Sequence, residues 1–383
     1  MIYKRVLNII DILSSRSLFL FGPRQTGKTT YLRTNFPQAR FFDLLEADTF
    51  RELSARPEIL RASLREQDKL VVIDEIQKLP SLLDEVHLMI ERNKDLRFIL
   101  TGSSARKLRR GTANLLAGRA LVAKLHPLVG AEIGPERWDD RLLIGSLPAV
   151  VDSTIPFEDL RAYVGNYLKE EIQAEALTRN IEGFSRFLET AAVTNGQQIN
   201  FTAVGTDTGV AARTVQNYYQ VLEDTLVGYL LPPFRKTIKR KAFSTSKFYF
   251  FDPGVLNALL GRRTLSPKTE EYGRLMEHQI FLELRTWLDY TRRSESLTYW
   301  RSLSKQEVDF IIGNSMAIEV KSKERIRDQD LDGIRALSEE IQLQTKIVVC
   351  REKWRWKTED AIHILPINEF LVELWENNLQ NIY

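Results

Sequence analysis

A glycine-rich loop follows the first strongly apolar segment of the chain and constrains the fold more than any other feature. Residues 18–21 are apolar and predict a buried β-strand, and the next eight residues read Gly-Pro-Arg-Gln-Thr-Gly-Lys-Thr. Such a loop, placed between a strand and a helix, binds polyphosphate through backbone N–H groups, one lysine and a metal-binding hydroxyl. The sequence therefore predicts a site for ATP and Mg²⁺ on an α/β fold, formed by Gly22, Pro23, Arg24, Gln25, Thr26, Gly27, Lys28, Thr29 and Thr30.

A second apolar strand ends in two acidic residues. Residues 70–73 are apolar and mostly β-branched, and Asp74 and Glu75 follow them. A buried parallel strand delivers its last residues to the active edge of the sheet. We therefore predict that Asp74, like Thr29, is a Mg²⁺ ligand, with Asp74 acting through water. Glu75 is predicted to orient or deprotonate the water that attacks the γ-phosphate. For an isolated acid pair, capping of the following helix is the alternative.

A third strand, residues 97–100, ends in hydroxyl residues, and Thr101 or Ser103 is placed to point toward the γ-phosphate. At this point the sequence resembles AAA-type ATPases of bacteria and archaea that carry a C-terminal domain of unknown function. The matching motifs are Gly-Pro-Arg-Gln-Thr-Gly-Lys-Thr (22–29), Ile-Asp-Glu-Ile-Gln-Lys-Leu-Pro (73–80), Leu-Thr-Gly-Ser-Ser (100–104), Leu-Ala-Gly-Arg (116–119) and Gly-Ser-Leu-Pro-Ala-Val (145–150). The resemblance implies a sheet with helices on both faces, Thr101 as a polar sensor, and a homo-oligomer such as a hexameric ring.

The expectation of an oligomer rests on Arg119. This residue precedes the apolar run at 120–123 and suits an arginine finger that reaches the γ-phosphate of a neighbouring subunit. An ordinary surface arginine is the alternative, and Arg106, Arg109 and Arg110 compete for the same role.

Composition limits the function classes without selecting one. A chain of 383 residues suggests two or three domains, and its formal charge of +3 is too small to argue for nucleic-acid binding as a whole. Cys350 is the only cysteine, so an internal disulfide is impossible and a cytoplasmic location is the simplest expectation. No apolar run approaches the roughly 18 residues that span a bilayer, so we expect no membrane association.

The middle of the chain changes from strand–helix alternation to helical periodicity. Residues 201–204 and 208–222 predict a helix-turn-helix with Gly209 at the turn. Val215, Tyr218 and Leu222 are expected to face the core of this motif. The outward positions then carry the residue types that contact phosphates and base edges, and we predict DNA contacts by Arg213, Gln216 and Asn217, with Gln220 on the same side.

A dense basic run follows the helix-turn-helix. Residues 235–241 contain five cations and precede a strand-like segment at 247–251, so the run is expected to form the wing of a winged-helix fold. Each phosphate contact would add affinity through counterion release. A solvated face and a protein-docking unit are the alternatives. The predicted DNA-binding cations are Lys236, Lys239, Arg240 and Lys241.

The last third of the chain carries a second constellation. Two strand-like runs, 307–312 and 316–321, flank a turn at 313–315, and a three-residue hairpin loop there would place Asp309 opposite Glu319. Period-2 alternation then puts Lys321 on the same face as Glu319. Two carboxylates and an amine would meet at one edge.

This constellation resembles the PD-(D/E)xK nuclease superfamily. The resemblance implies that Asp309 and Glu319 bind Mg²⁺ or Mn²⁺, that Lys321 orients the attacking water, and that Glu277 contributes from a helix. Glu307-Val308-Asp309 stands in place of the Pro-Asp that names the superfamily, and this departure weakens the match. A surface hairpin with a salt-bridged Glu and Lys is the alternative, as is a fold that binds DNA without cutting it.

These expectations combine into an α/β protein with three domains. An AAA-type P-loop ATPase core occupies about residues 1–135, a helical lid with a winged helix 136–265, and a restriction-endonuclease-like domain 266–383. Together they predict an ATP-dependent DNA-processing protein with branched DNA, such as a Holliday junction, as preferred substrate; this last step rests on fold analogy. The alternatives are a nucleotide-gated signalling switch whose C-terminal domain docks a partner, and a regulator that binds a DNA site without cutting it.

Overall fold

A computed structural model describes residues 2–103, 116–168, 180–237 and 245–379. The contacts divide the chain into two compact units. The first is Met1–Pro127 with Asp224–Val227, and the second is Leu128–Glu223 with Gly228–Tyr383. The finer division into three domains stays a prediction.

A sheet of parallel strands forms the centre of the first unit. Its strands are β1 (Ser17–Phe21), β2 (Arg40–Asp43), β3 (Leu70–Asp74), β4 (Arg97–Gly102) and β5 (Ala120–Lys124), in the spatial order β2-β3-β4-β1-β5. β1, β3 and β4 are continuous apolar runs, which is typical of strands buried on both faces. Phe19, Ile73 and Leu100 from these three strands are fully buried. Because the three strands are neighbours and parallel, their carboxyl ends meet at one edge of the sheet.

Short helices connect these strands. The described α-helices of this unit are α1 (Ile10–Leu13), α2 (Lys28–Asn35), α3 (Ala47–Ala55), α4 (Ile59–Ala62) and α5 (Leu82–Arg92), with 3₁₀ turns at Ile76–Lys78 and Leu116–Gly118. In α5, Val86, Met89 and Ile90 lie at helical spacing and are buried in the core that also contains Phe19 and Ile73. The amphipathic pattern of α5 thus fixes which of its faces contacts the core.

The second unit begins with helices. They are α6 (Gly130–Ile133), α7 (Trp138–Ile144), α8 (Pro148–Val151), α9 (Pro156–Ala162), α10 (Ile181–Val193), α11 (Phe201–Thr208), α12 (Ala212–Asp224), α13 (Pro253–Leu259) and α14 (Glu270–Tyr290), with a 3₁₀ turn at Pro135–Arg137 and a π-helical segment at Tyr163–Leu168. The buried rings of Phe184 and Phe187 on α10 meet Tyr218 and Tyr219 on α12 at centroid distances of 5.0 and 4.9 Å. Aromatic packing therefore joins α10 to the helix-turn-helix formed by α11 and α12.

The boundary between the two helices of this motif differs from the sequence prediction. Thr208 was assigned to the start of the second helix, but it is the last residue of α11, and α12 begins at Ala212. Gly209 caps α11 in the left-handed region, with φ of 66°, which ends the helix there. Two antiparallel strands follow the motif, β6 (Gly228–Leu231) and β7 (Lys247–Phe250). The predicted wing falls largely on residues 238–244, outside the described residues, so the winged helix stays a prediction.

A mixed sheet forms the rest of the second unit. Its strands are β8 (Leu297–Arg301), β9 (Glu307–Ile312), β10 (Met316–Val320), β11 (Thr345–Cys350), β12 (Trp356–Lys357) and β13 (His363–Pro366), in the order β12-β13-β11-β10-β9-β8. β9 and β10 are antiparallel, whereas β10, β11 and β13 are parallel neighbours. A 3₁₀ turn at Asp328–Leu331 and the helices α15 (Asp332–Ser338) and α16 (Ile367–Trp375) complete this part.

No helix in the part of the chain that the structure describes has the length and apolar character required to cross a bilayer.

One buried ion pair ties several of these helices together. The guanidinium of Arg141 on α7 donates to Glu283 Oε1 on α14, and the two side chains are 1% and 0% exposed. Glu283 also accepts hydrogen bonds from Gly130 N at 2.9 Å and from the Trp375 indole at 2.7 Å. A buried charge is costly unless it is paired, so each partner depends on the other.

We expect Glu283→Ala to lower the free energy of unfolding by about 3–5 kcal/mol, because it leaves the Arg141 charge uncompensated in the core. Asp328→Ala is the matched control, because the exposed pair of Asp328 with Arg335 should contribute less than about 1 kcal/mol. Chemical denaturation of both variants measures the difference. Equal losses in the two variants would contradict this account of the core.

Candidate functional site

The glycine-rich loop lies where the sequence predicts it, between β1 and α2. Gly27 and Gln25 both have left-handed backbone angles, with φ of 87° and 60°, and α2 begins at Lys28. The Lys28 ammonium is 6% exposed and donates to the carbonyl oxygens of Gly22 at 2.7 Å and Pro23 at 3.1 Å. The loop therefore curls around its own lysine at the N-terminus of a helix, which is an arrangement that binds phosphate.

Gly22 is required by a close approach of two backbone segments. A Cβ atom at this position would lie 2.3 Å from the Leu125 carbonyl oxygen and 3.2 Å from Thr26 Oγ1. The side chain of Arg5 supports the same loop, because its guanidinium donates to the carbonyl oxygens of Thr26 at 2.8 Å and His126 at 2.6 Å. Sequence reasoning missed Arg5, since nothing in its local pattern distinguishes it from a solvated cation.

The buried carboxylate of Asp74 joins the loop helix to two strands of the sheet. Asp74 is 2% exposed; its Oδ2 accepts a hydrogen bond from Thr29 Oγ1 at 2.5 Å, and its Oδ1 accepts one from Thr101 Oγ1. Thr101 in turn accepts a hydrogen bond from Glu75 N at 3.1 Å. The structure thus brings together Thr29, Asp74, Glu75 and Thr101, which the sequence assigned to one site.

Glu75 has an uncommon backbone conformation for a residue with a side chain. Its φ is 60°, and it immediately precedes the 3₁₀ turn Ile76–Lys78. The side-chain amide of Gln77 donates to Glu75 Oε2, and Gln77 itself is 7% exposed. Gly102 leaves the space for this amide, because a Cβ there would lie 2.6 Å from Gln77 Oε1. Strained residues such as Glu75 concentrate at functional sites. The contact makes Gln77 a candidate to position Glu75, and the sequence analysis missed it.

These residues fit a nucleotide with its magnesium ion. The Thr29 hydroxyl and the Asp74 carboxylate are the oxygen donors that Mg²⁺ prefers, and Lys28 with the loop N–H groups suits the phosphates. Bound magnesium neutralises charge that develops on the phosphates during transfer. Among these residues, Glu75 is the one whose carboxylate is predicted to orient the attacking water. The roles of the individual residues stay predictions.

Arg119 is held within its own unit. Its Nε donates to Glu91 Oε1 on α5, and this contact lowers the pKa of Glu91. An arginine finger that reaches a neighbouring subunit would have to exchange this partner for phosphate. The competing residues Arg106, Arg109 and Arg110 lie outside the described residues.

The helix α12 presents the expected faces. Val215, Tyr218 and Leu222 are buried, which confirms the predicted core face. The opposite face exposes Arg213, Gln216 and Asn217, with Gln220 beside them. Lys236 is exposed, whereas Lys239, Arg240 and Lys241 lie outside the described residues.

The carboxylates of the C-terminal constellation also come together. The register pairs Ile312 with Met316 and Phe310 with Ile318 across a three-residue turn, so Asp309 and Glu319 continue the ladder as neighbours. Asp309 Oδ2 accepts a hydrogen bond from Val320 N at 2.8 Å, and Glu319 Oε2 accepts one from Asp309 N at 3.3 Å. The Lys321 ammonium donates to Glu319 Oε1.

A second lysine, which the sequence analysis did not single out, lies in the same cluster. Lys247 on β7 is 4% exposed, and its ammonium contacts Glu277 Oε1 at 3.1 Å and Glu307 Oε1 at 2.8 Å. The Tyr249 hydroxyl donates to the same Glu277 oxygen at 2.5 Å. We call Glu277, Glu307, Asp309, Glu319, Lys247 and Lys321 the carboxylate cluster.

Burial and mutual repulsion perturb the ionisation of this cluster. Burial and the nearby carboxylates of Glu319 and Glu277 raise the pKa of Asp309 well above its usual range, against the opposing effect of the two lysines. Burial also raises the pKa of Glu319, although Lys321 opposes this. Burial alone would lower the pKa of Lys247, but Glu277 and other acidic groups raise it well above its usual value, so Lys247 carries its charge at neutral pH.

The cluster does not fit a divalent metal as it stands. Among the described residues, no three His, Cys, Asp or Glu side chains lie close enough together to hold a metal ion. Both oxygens of Glu319 and Oδ2 of Asp309 already accept hydrogen bonds from backbone N–H groups or an ammonium group. A Mg²⁺ or Mn²⁺ ion at Asp309 and Glu319 would have to displace these contacts, and the site stays a prediction.

Three family models match consecutive parts of the chain. Residues 14–134 match an AAA domain, residues 135–266 match a domain of unknown function (DUF8612), and residues 272–370 match a domain of unknown function (DUF4143). The chain thus matches an AAA domain and, nearer its C-terminus, a domain of unknown function, which confirms the resemblance to AAA-type ATPases of this organisation. The resemblance to nucleases stays a prediction.

Two relatives match most of this chain at low identity. The uncharacterized protein Rv2008c of Mycobacterium tuberculosis is 25% identical over 92% of this chain and 80% of its own length. An uncharacterized protein of Haemophilus influenzae is 22% identical over 89% of this chain and 86% of its own length.

Two solved structures show weak likeness. Domain III of the replication initiation protein DnaA of Thermotoga maritima is 17% identical, with a TM-score of 0.23, over 55% of this chain and 84% of its own. The signal transduction ATPase PH0952 of Pyrococcus horikoshii is 14% identical, with a TM-score of 0.22, over 74% of this chain and 46% of its own. TM-scores this low carry no argument about function.

Substitutions at the nucleotide site should separate binding from turnover. Lys28→Ala removes a charge-assisted contact and should weaken ATP binding by about 10–100-fold. Glu75→Gln should retain ATP binding but lower turnover by about 10²–10⁴-fold, because the base is lost. Equilibrium binding of a fluorescent ATP analogue and phosphate release measure the two effects. Equal turnover for wild type and Glu75→Gln would contradict the assignment.

The role of Gln77 has its own test. Gln77→Leu should retain ATP affinity and lower turnover less than Glu75→Gln does, because it releases Glu75 without removing the carboxylate. Gln77→Glu would place a like charge beside Glu75 and should lower turnover further. Unchanged turnover in both Gln77 variants would assign this residue to packing alone.

Proposed function

We propose that this protein is an ATP hydrolase that couples hydrolysis to the remodelling or translocation of DNA. The observation that carries the hydrolase assignment is the hydrogen-bonded group of Thr29, Asp74 and Thr101, with Glu75 bonded to Thr101 through its backbone. It unites a phosphate loop, a metal-binding pair of oxygens and a carboxylate next to them, which are the parts that phosphoryl transfer requires.

The DNA half of the proposal rests on the helix-turn-helix. The outer face of α12 exposes Arg213, Gln216 and Asn217, the residue types that contact phosphates and base edges. The basic run that includes Lys236 follows this helix in sequence, and the winged-helix interpretation assigns it to phosphate contacts. Branched DNA is the preferred substrate within this proposal, by analogy with resolvase-like folds.

Two further parts belong to the same proposal. The ATPase acts as a homo-oligomer, with a hexameric ring as one arrangement, in which Arg119 leaves Glu91 and contacts the γ-phosphate of a neighbour. The expectation of a cytoplasmic location, based on the single cysteine, also stays within the proposal.

A metal-dependent nuclease in a restriction-endonuclease-like domain is the finer candidate for the C-terminal part. The convergence of Asp309, Glu319 and Lys321 supports it. The contacts of Lys247 with Glu277 and Glu307 support the other candidate, a nucleotide-gated signalling or regulatory ATPase whose C-terminal domain docks a partner without cutting.

Turnover with different nucleic acids distinguishes these functions. We expect phosphate release to rise several-fold with DNA, and most with a four-way junction, when no DNA, duplex, single strand and junction are compared side by side. Arg213→Ala with Gln216→Ala and Asn217→Ala should weaken DNA binding and reduce this stimulation, while turnover without DNA stays unchanged. Arg263→Ala, which removes an exposed cation that pairs with Glu158 away from this motif, is the control. Turnover that ignores every DNA would favour the signalling candidate.

Mixed oligomers test the role of Arg119. If Arg119 acts on a neighbour, adding Arg119→Ala protomers should lower the turnover of wild-type protomers below the proportional value. Glu91→Ala removes the partner of Arg119 and should not reduce turnover. A strictly additive mixture would exclude action between subunits.

A further inference from the structure

Lys247 enters the carboxylate cluster from β7, outside the mixed sheet and the helix α14 that supply the acids. It is the first residue of β7, where its backbone is paired with Leu231 of β6. Lys247 and Tyr249 lie two residues apart in the same strand, so they share one face, and both contact Glu277 Oε1. The position of the ammonium is therefore set by a strand ladder and by two acidic partners.

Two ammonium groups offset part of the negative charge of the four carboxylates in the cluster. Lys247 contacts one oxygen each of Glu277 and Glu307, and Lys321 contacts one oxygen of Glu319. The two ammonium groups together carry the charge of one divalent cation. A metal bound by these three carboxylates would have to displace an ammonium group, since a metal needs deprotonated and unengaged oxygen donors.

An ordinary surface ion pair does not explain Lys247. The side chain is 5% exposed, and its ammonium lies 5.2 Å from the centre of the Tyr299 ring. The ammonium has therefore lost almost all of its hydration. Burying an ammonium costs several kcal/mol unless good partners replace the water. The two glutamates and the tyrosine ring take the place of that water. A metal ion would have to bind oxygens of the same two glutamates.

We propose that the Lys247 ammonium is the resident cation of the carboxylate cluster and that the C-terminal domain of this protein therefore works without a divalent metal. The nuclease resemblance implies a metal at this place, and the contacts of Lys247 disagree with it. The inference depends neither on ATP hydrolysis nor on DNA binding, so either could fail without affecting it.

Metal titration of the full-length protein tests this inference. Free Mn²⁺ is measured by electron paramagnetic resonance in the absence of nucleotide. Wild type and Asp309→Ala should give the same titration curve. Lys247→Met should gain one Mn²⁺ site that binds at least about tenfold more tightly than any in wild type, because four carboxylates then face a single ammonium. The double variant Lys247→Met with Asp309→Ala should lose that site.

Matched variants separate charge from packing. Lys247→Arg retains the cation and should behave as wild type. Lys323→Met removes an ammonium that pairs with Asp330 rather than with the cluster, and it should also behave as wild type. Mn²⁺ should raise the melting temperature of Lys247→Met and leave that of Lys247→Arg unchanged. Because the effect of Mn²⁺ is measured within each variant, this readout detects the site even where Lys247→Met is less stable than wild type.

Two results would overturn the inference. One is a Mn²⁺ site in wild type that Asp309→Ala removes, which would show that the cluster holds metal beside Lys247. The other is a folded Lys247→Met variant with no new site. The first comparison needs no Lys247 variant, so the inference can be refuted even if Lys247→Met does not fold.

Discussion

The hydrogen bonds of Asp74 are the interaction that holds the candidate nucleotide site together. A carboxylate that is 2% exposed needs strong partners, and it finds them in two hydroxyls on different elements. Thr29 belongs to the helix after the glycine-rich loop, and Thr101 ends β4. Asp74 therefore fixes the distance between the phosphate loop and the strand that carries the predicted sensor.

The same site shows how backbone geometry serves side-chain placement. The left-handed conformation of Glu75 turns the chain out of β3 immediately after Asp74, so two consecutive acids take different surroundings. Asp74 accepts hydrogen bonds from two hydroxyls. Glu75 accepts one from the Gln77 amide and is only partly buried. A carboxylate that is oriented but still accessible suits the positioning of water.

The second unit contains two arrangements in which buried charges are compensated. Arg141 and Glu283 form a buried ion pair, and Glu283 accepts further hydrogen bonds from the backbone and an indole. In the carboxylate cluster several acids share two ammonium groups, and burial together with the neighbouring carboxylates raises the pKa of Asp309. The first arrangement joins helices, and the second concentrates charge at the edge of the hairpin formed by β9 and β10.

Local sequence patterns predicted many of the fold elements and much of the candidate nucleotide site. The loop, the acidic end of β3, the hydroxyl end of β4 and the hairpin at 313–315 were readable because each is encoded within a few consecutive residues. The buried face of α12 followed from helical spacing. The boundary between α11 and α12 was misplaced, because Thr208 suits either helix until Gly209 is seen to cap the first.

The sequence by itself determined the phosphate loop, the parallel order of apolar strands and the identity of the acids that face one another. Tertiary structure alone decided which distant side chains complete each site. Arg5, Gln77 and Lys247 reach their partners through folds of the chain that no local period records. The physical reason is that strand and helix signals repeat over two to four residues, whereas charge pairing between β7, α14 and β9 depends on packing across long separations.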